Sequence, residues 1–142
     1  MNLSFARATV FASATVIAGC SVSHGLDNEM IADLAQNVRY VAGQVHAHIT
    51  YDKPDAGTSS DNLIRRATQP NPTYMASLSG YYVAARRMGS YSSVLLCDNE
   101  RRQALVEDAG CTSLRVEWQH KENEPSVPCD FSLDLSVVCR GR

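Results

Sequence analysis

Apolar side chains recur at intervals of three and four residues across the segment 26–49. The stripe consists of Leu26, Met30, Ile31, Leu34, Val38, Val41, Ala42, Val45 and Ile49. This spacing lines one face of an α-helix and predicts an amphipathic helix in the first half of the chain. Gly43 weakens helix formation, and residues 46–51 alternate polar and apolar side chains as a short strand does. We therefore expect helix up to Val41 and leave the remainder open between helix and strand.

A period of two residues is typical of the second half of the chain. Residues 78–88 and 91–97 carry strand-forming tyrosine, valine and leucine on either side of Gly89, which predicts a β-hairpin. Residues 112–119 are predicted to form a further strand. Between 130 and 139 apolar and polar residues alternate almost without exception, so the pattern predicts a final strand there.

The connecting segments complete the predicted fold. Residues 52–62 are rich in turn formers and are expected to form a loop, and Pro70 and Pro72 should end a short helical turn that follows it. Residues 99–109 are predicted to form a helix that ends at Gly110. The fold class expected is α+β: an N-terminal amphipathic helix plus a small, mostly antiparallel sheet with one crossover helix.

The first twenty residues have a different layout. A short region with Arg7 precedes an uncharged apolar segment from Ala8 to Gly19, which is the arrangement of a secretory signal peptide. The segment is shorter than the roughly 20 apolar residues that a membrane-spanning helix needs. It ends in the run Ile17-Ala18-Gly19-Cys20, where small residues precede a thiol. This run resembles the lipobox of bacterial lipoproteins, in which that cysteine is acylated and becomes the first residue after cleavage.

The resemblance, which covers residues 1–20 only, implies a division of the chain. Residues 1–19 would be a signal peptide, residues 20–25 a lipidated tether, and residues 26–142 one small periplasmic α+β domain. Several acyl chains such as palmitate, attached at Cys20, would hold the protein on a membrane. Ser21 stands where Asp favours inner-membrane retention in such lipoproteins, which implies the periplasmic face of the outer membrane. The alternatives are an ordinary signal peptide with an incidental cysteine and a buried helix of a cytosolic protein.

The remaining four cysteines form an even set, which in an exported chain predicts two disulfides. A straight strand at 130–139 would hold Cys129 and Cys139 too far apart to bond, because each strand residue rises about 3.3 Å. Antiparallel neighbouring strands would instead bring together Cys97 with Cys129 and Cys111 with Cys139. The pairing of sequence neighbours, 97 with 111 and 129 with 139, is the competing prediction if the supposed helix is a hairpin or the last strand is bent.

The charge balance narrows the classes of partner. The whole chain has a net charge of −2, and removal of residues 1–19 would take away Arg7 and make it −3. A basic surface for nucleic acid is therefore not expected. The sequence also has no Cys-x-x-Cys spacing, no phosphate-binding glycine loop and no Gly-x-Ser-x-Gly turn, so no cofactor and no catalytic residue are predicted from motifs.

Two sets of polar residues were weighed as sites. His46 and His48 with Asp52 would share a face and could bind a metal if their segment were a strand, but solvated positions at the end of an element are the favoured interpretation, and no metal site is predicted. Glu107 and Asp108 form an adjacent carboxylate pair, which is interpreted as the solvated end of the predicted helix.

Tyrosine and arginine concentrate in the predicted hairpin, at Tyr81, Tyr82, Arg86 and Arg87. Tyrosine combines apolar area with a hydroxyl and arginine supplies a planar set of donors, so this mixture is typical of a contact surface for a protein or glycan. The favoured alternative is a purely structural role. In that case one tyrosine packs into the core while the other covers the edge strand, as strand alternation requires.

Binding is the function that the sequence favours over catalysis. The leading hypothesis is a lipid-anchored accessory or structural lipoprotein that binds a protein partner in an envelope assembly of the secretion or conjugation type. The alternatives are a small lipid-anchored envelope enzyme, which would need a concave site with converging histidine and carboxylate groups, and a surface binder or inhibitor.

Overall fold

The computed structural model describes residues 28–112, 117–118 and 125–140. The predicted signal peptide, Cys20 and the tether up to residue 25 lie outside the described residues. Within the described ranges, no helix combines the length and the apolar character that crossing a bilayer requires.

The predicted amphipathic helix is confirmed as α1, Asn28–Tyr51. It continues without interruption through the segment that the sequence left open, because Val45 and Ile49 keep the helical spacing and are buried with the rest of the stripe. Gly43 lies on the exposed side of the helix, where a missing side chain leaves no gap in the core. Two short helices follow, α2 at Ser60–Thr68 and α3 at Thr73–Ala76.

Four strands form one antiparallel sheet in the order β1-β2-β3-β4. The strands are β1 at Tyr82–Met88, β2 at Tyr91–Cys97, β3 at Ala104–Ala109 and β4 at Glu117–Trp118. The predicted hairpin is confirmed: Met88 pairs with Tyr91 across a two-residue turn, in which Gly89 has a φ of 60°. A positive φ is the conformation that glycine adopts without steric cost.

The predicted crossover helix at 99–109 is wrong, because this segment contains β3. Asp98 does not begin a helix; its side chain accepts hydrogen bonds from the backbone N–H groups of Arg102 and Gln103, at 2.7 and 3.2 Å, and closes a turn. Glu107 and Asp108 interrupt the apolar pattern of this segment, so the pattern did not indicate a strand. Both are completely buried, so their assignment to a solvated helix end is also wrong.

The predicted strand at 130–139 is wrong as well. The chain runs without regular structure from residue 129 to Asp134, which caps α4 at Leu135–Val138 by accepting a hydrogen bond from the N–H of Ser136. Phe131 and Leu133 nevertheless pack against the sheet from this segment. The alternation thus reflects contact with an apolar surface rather than strand pairing. The α+β fold class is confirmed, without the crossover helix.

The sheet is covered on both faces. One face packs against α1 and α2 and forms the main core, which includes Val83, Val94, Leu96 and Val106. The opposite face carries Leu95, Cys97 and Ala109, and the C-terminal segment covers it. Successive strand residues point to opposite faces, so burial on both sides explains why β2 is buried at nearly every position.

Two disulfides attach the C-terminal segment to the sheet. Cys97 is bonded to Cys129 and Cys111 to Cys139, each with Cα atoms 5.7 Å apart. This is the favoured predicted pairing, and the pairing of sequence neighbours is excluded. The geometry that produces it differs from the expected one, because Cys129 follows an isolated bridge between Gln103 and Pro128 and Cys139 ends α4 instead of a strand.

Candidate functional site

A cavity of about 290 Å³ lies between the C-terminal half of α1 and the segment that joins α2 to α3. We call it the His48 cavity. Its lining residues are Gln44, Ala47, His48, Tyr51, Asp52, Arg66, Ala67 and Pro70. The polar members Gln44, His48 and Asp52 are spaced four residues apart, and this spacing places them on one side of the helix end. Continuation of α1 past Val41 is therefore what assembles the site.

His48 and Asp52 form a hydrogen-bonded pair in this cavity. Nδ1 of His48 lies 2.6 Å from Oδ2 of Asp52, and the imidazole side chain is 9% exposed whereas the carboxylate is 68% exposed. An ionised carboxylate only accepts hydrogen bonds, so the N–H at Nδ1 donates a hydrogen bond to Asp52. The carboxylate at Nδ1 fixes the orientation of the ring, as in other histidine–carboxylate pairs.

Two polar atoms of the residues around the cavity are buried without a hydrogen-bond partner among the described residues: Nε2 of His48 and Oε1 of Gln44. The amide of Gln44 is fixed in orientation because its Nε2 donates to the backbone oxygen of Asn71 at 3.1 Å. A buried polar atom without a partner costs about 1–3 kcal/mol. Neither atom is accessible to solvent, so both lie behind the surface of the cavity and do not face its open space.

Arg66 and Tyr51 form the outer part of the His48 cavity. Tyr51 is 81% exposed. Arg66 is exposed and has no hydrogen-bond or ion-pair partner in the described part of the chain. The accessible part of the cavity therefore combines a guanidinium, a carboxylate and an aromatic ring, from Arg66, Asp52 and Tyr51.

The helix separates the two histidines that the sequence placed together. Two positions correspond to about 200° around a helix axis, so His46 and His48 do not share a face. Nowhere in residues 28–112, 117–118 and 125–140 do three His, Cys, Asp or Glu side chains form a metal-binding group. His46 instead packs where Gly110 meets α1, and burial lowers the pKa of its imidazole below 6.5.

The four residues of the predicted contact surface lie on two faces of the sheet. Tyr81 packs against the core beside α1, whereas Tyr82 packs against the cluster on the opposite face. Arg87 donates hydrogen bonds to the backbone oxygens of Pro54 and Gly89. The four residues therefore do not form one continuous patch. Their contact with a partner stays a prediction.

Arg86 is held inside the molecule by an ion pair that the sequence did not reveal. Its guanidinium lies 3.4 Å from Oε1 of the completely buried Glu107, also donates to the backbone oxygen of Leu133, and stacks 4.9 Å from the ring centre of Phe131. Oε2 of Glu107 accepts hydrogen bonds from both backbone N–H groups of Ser132 and Leu133. This cluster fixes the C-terminal segment on the sheet.

A second concave surface surrounds Tyr82. A cavity of about 260 Å³ is lined by Gly80, Tyr81, Tyr82, Asn99 and Arg101, and we call this set the Tyr82 patch. The guanidinium carbon of Arg101 lies 3.9 Å from the ring centre of Tyr82. Arg101 has a φ of 58°, in the left-handed region that disfavours side chains other than glycine, asparagine and aspartate. A further cavity of about 700 Å³ lies separately between α2, α3 and β1.

Comparisons with known proteins find no matching family model and no significantly similar curated protein or solved structure.

Proposed function

We propose that this protein is a lipid-anchored accessory or structural protein of the bacterial envelope that binds a protein partner. The proposal places the lipid on Cys20 and the domain from residue 26 in the periplasm, at the outer membrane. The observation that carries it concerns the cysteines. Of five in the sequence, four bond to one another, and Cys20 is the fifth.

The disulfides support export, because such bonds persist in oxidising compartments such as the periplasm. Cys20 is also the cysteine that ends the lipobox-like run. Two independent features thus agree: a chain built for an oxidising compartment, and a remaining thiol at the position where bacterial lipoproteins carry their acyl chains.

The test is the intact mass of the full chain, expressed in a Gram-negative bacterium and recovered from membranes. We expect the mass of a chain beginning at Cys20 with acyl chains added, and a gain of four hydrogens on reduction of the two disulfides. The Cys20→Ser variant should lose the acyl mass, whereas the neighbouring Ser21→Ala variant should keep it. A wild-type chain that retains residues 1–19 without lipid would contradict the proposal.

The Tyr82 patch is the surface we assign to the protein partner. Tyrosine and arginine are enriched among the residues that dominate binding at interfaces. Arg101 also occupies a backbone conformation that costs of order 1 kcal/mol, and the side chain that it presents over Tyr82 gives a reason to keep arginine there. Arg86 is left out of the patch, because its guanidinium is engaged within the domain.

Cross-linking in intact cells followed by purification tests this surface. Arg101→Gly removes the guanidinium without disturbing a backbone that already has positive φ, and Tyr82→Ala removes the ring beneath it. We expect both variants to lose a cross-linked partner that the wild-type chain captures. Arg102→Ala is the matched control, since Arg102 is adjacent and exposed but pairs with Glu100. Equal capture by all variants would remove the Tyr82 patch from the proposal.

An envelope enzyme is the second candidate, and a specific observation favours it. The required convergence of a histidine and a carboxylate in a concave site exists at His48 and Asp52.

A further inference from the structure

The cavity of about 700 Å³ between α2, α3 and β1 borders an edge of the sheet, and we call it the α2–β1 cavity. Its apolar lining residues are Ile64, Pro72, Met75 and Val83. Ile64 and Val83 belong to the main core, and Met75 packs against that core while it stays partly exposed. The volume lies within the roughly 300–1,000 Å³ typical of ligand pockets, so the cavity is an apolar opening of ligand size.

The outer edge of β1 carries backbone groups that the sheet does not pair. β1 is the first strand in the sheet order, so only its inner edge bonds to β2. The N–H of Ala85 donates to Oγ of Ser60 in α2 at 2.8 Å, so this N–H points away from β2. Backbone groups two residues apart in an antiparallel strand point the same way, so the N–H and C=O of Val83 also point outward. Among the described residues, neither group of Val83 has a hydrogen-bond partner on this edge.

The unpaired edge and the apolar cavity meet at Val83. Val83 lines the cavity and is 8% exposed, so α2 does not seal this edge completely. Residues opposite each other on neighbouring antiparallel strands place their side chains on the same face of the sheet. The side chain of Val83 lies in the main core with Ile64. A residue paired with Val83 from outside would therefore direct its side chain onto the face where Ile64 and Met75 line the cavity.

We infer that the α2–β1 cavity binds a short extended segment of a partner protein, which adds to β1 as one further strand. One residue of that segment donates to the oxygen of Val83 and accepts from its N–H, and its large apolar side chain fills the cavity. Ser60 already occupies the N–H of Ala85 and ends the added pairing there. A small apolar molecule would fill the cavity but leave both backbone groups of Val83 without a partner, whereas a peptide provides both interactions. The inference depends neither on the lipid anchor nor on the Tyr82 patch.

The ligand side of the test uses a phage-displayed library of random dodecapeptides, selected on the full chain with both disulfides formed. We expect enrichment of peptides that share one large apolar residue among strand-forming residues, because these sequences combine the required side chain with an extended backbone. A selection that enriches no peptide, or peptides without such an apolar residue, would overturn the inference.

The protein side compares two substitutions on α3. Met75→Arg places a charge in the apolar cavity and should weaken binding of the selected peptide at least about tenfold. Ala76→Arg is the matched control, because it adds the same charge at the adjacent, exposed residue outside the lining, and it should leave affinity within about twofold. If Met75→Arg does not fold, Gln69→Trp covers the cavity from an exposed lining position and serves instead. Equal binding by the blocking and control variants would place the peptide elsewhere and overturn the inference.

Amide hydrogen exchange measured by NMR tests the strand addition itself. With the selected peptide at saturation, the Val83 amide should exchange at least about tenfold more slowly, because it gains a hydrogen bond. The Ala85 amide is the internal control, since it already donates to Ser60 and should not change. Peptide binding without slower exchange at Val83 would overturn the strand addition. Slower exchange at Val83 that depends on protein concentration without peptide would assign the edge to a second copy of the chain and overturn the partner assignment.

Discussion

At the scale of single residues, Glu107 illustrates how an unsuspected charge can hold two parts of a fold together. The buried carboxylate meets Arg86 from the sheet and two backbone N–H groups from the C-terminal segment. Removal of one partner from a buried pair leaves the other charge uncompensated, at a cost of about 3–5 kcal/mol. We expect Glu107→Ala to reduce the free energy of unfolding by this amount.

Chemical denaturation of oxidised protein measures that loss. Glu100→Ala is the matched control, because Glu100 forms an exposed ion pair with Arg102, and such pairs contribute about 0–1 kcal/mol. Similar destabilisation by the two substitutions would contradict the role of Glu107 as the attachment point of the C-terminal segment.

His46 gives the protein a pH dependence of known sign. Burial lowers the pKa of the folded imidazole below 6.5, so the unfolded chain binds the proton more readily. The stability that neutral His46 contributes is fully present above the unfolded pKa and is lost as the pH falls through about 6.5 toward the folded pKa. We expect the wild-type melting temperature to fall over this range more steeply than that of His46→Gln. Parallel profiles for the two proteins would contradict the assignment.

At the scale of elements, the contact between α1 and the end of β3 depends on Gly110. A Cβ atom at this position would lie 2.7 Å from Cβ of His46 and closer still to the backbone oxygen of Ala42. Backbone cannot yield as a flexible side chain does, so Gly110→Ala should force the helix off the sheet and destabilise the fold by about 1–3 kcal/mol.

At Gly43, on the same helix, we expect substitution by alanine to stabilise the fold. No atom lies within 4 Å of a Cβ built there, and helical alanine is favoured over glycine by about 0.5–1 kcal/mol. Thermal unfolding of Gly43→Ala and Gly110→Ala should therefore shift in opposite directions. Destabilisation of both by the same amount would contradict the open space at Gly43 and the close packing at Gly110 as the source of the difference.

The elements also separate what the sequence could predict from what it could not. α1 was predictable because its apolar spacing is set by one buried face, and the hairpin because strand-forming residues lie on either side of Gly89. β3 was not, because Glu107 and Asp108 are buried within it and polar residues mimic an exposed surface. The His48 cavity was missed for a related reason: Gln44, His48 and Asp52 align only if α1 continues past Gly43, a step that local propensity disfavours.

At the scale of the whole molecule, the domain consists of a core beside α1 and a C-terminal cover held by disulfides. Among the described residues the main core contains none beyond Val106, whereas the opposite face depends on the segment 125–140. The bridges close loops with sequence separations of 32 and 28 residues, each contributing roughly 3–4 kcal/mol in the chain-entropy account. The two halves should therefore differ in their response to reduction.

Hydrogen exchange followed by mass spectrometry tests this difference. After reduction we expect amides of residues 129–140 to exchange first, while those of α1 stay protected, because α1 packs on the face of the sheet opposite the cover. The double variant Cys97→Ala with Cys129→Ala should reproduce faster exchange near Phe131 and leave the end at Cys139 attached through Cys111. Simultaneous loss of protection throughout the described domain would mean instead that the cover and the main core unfold as one cooperative unit.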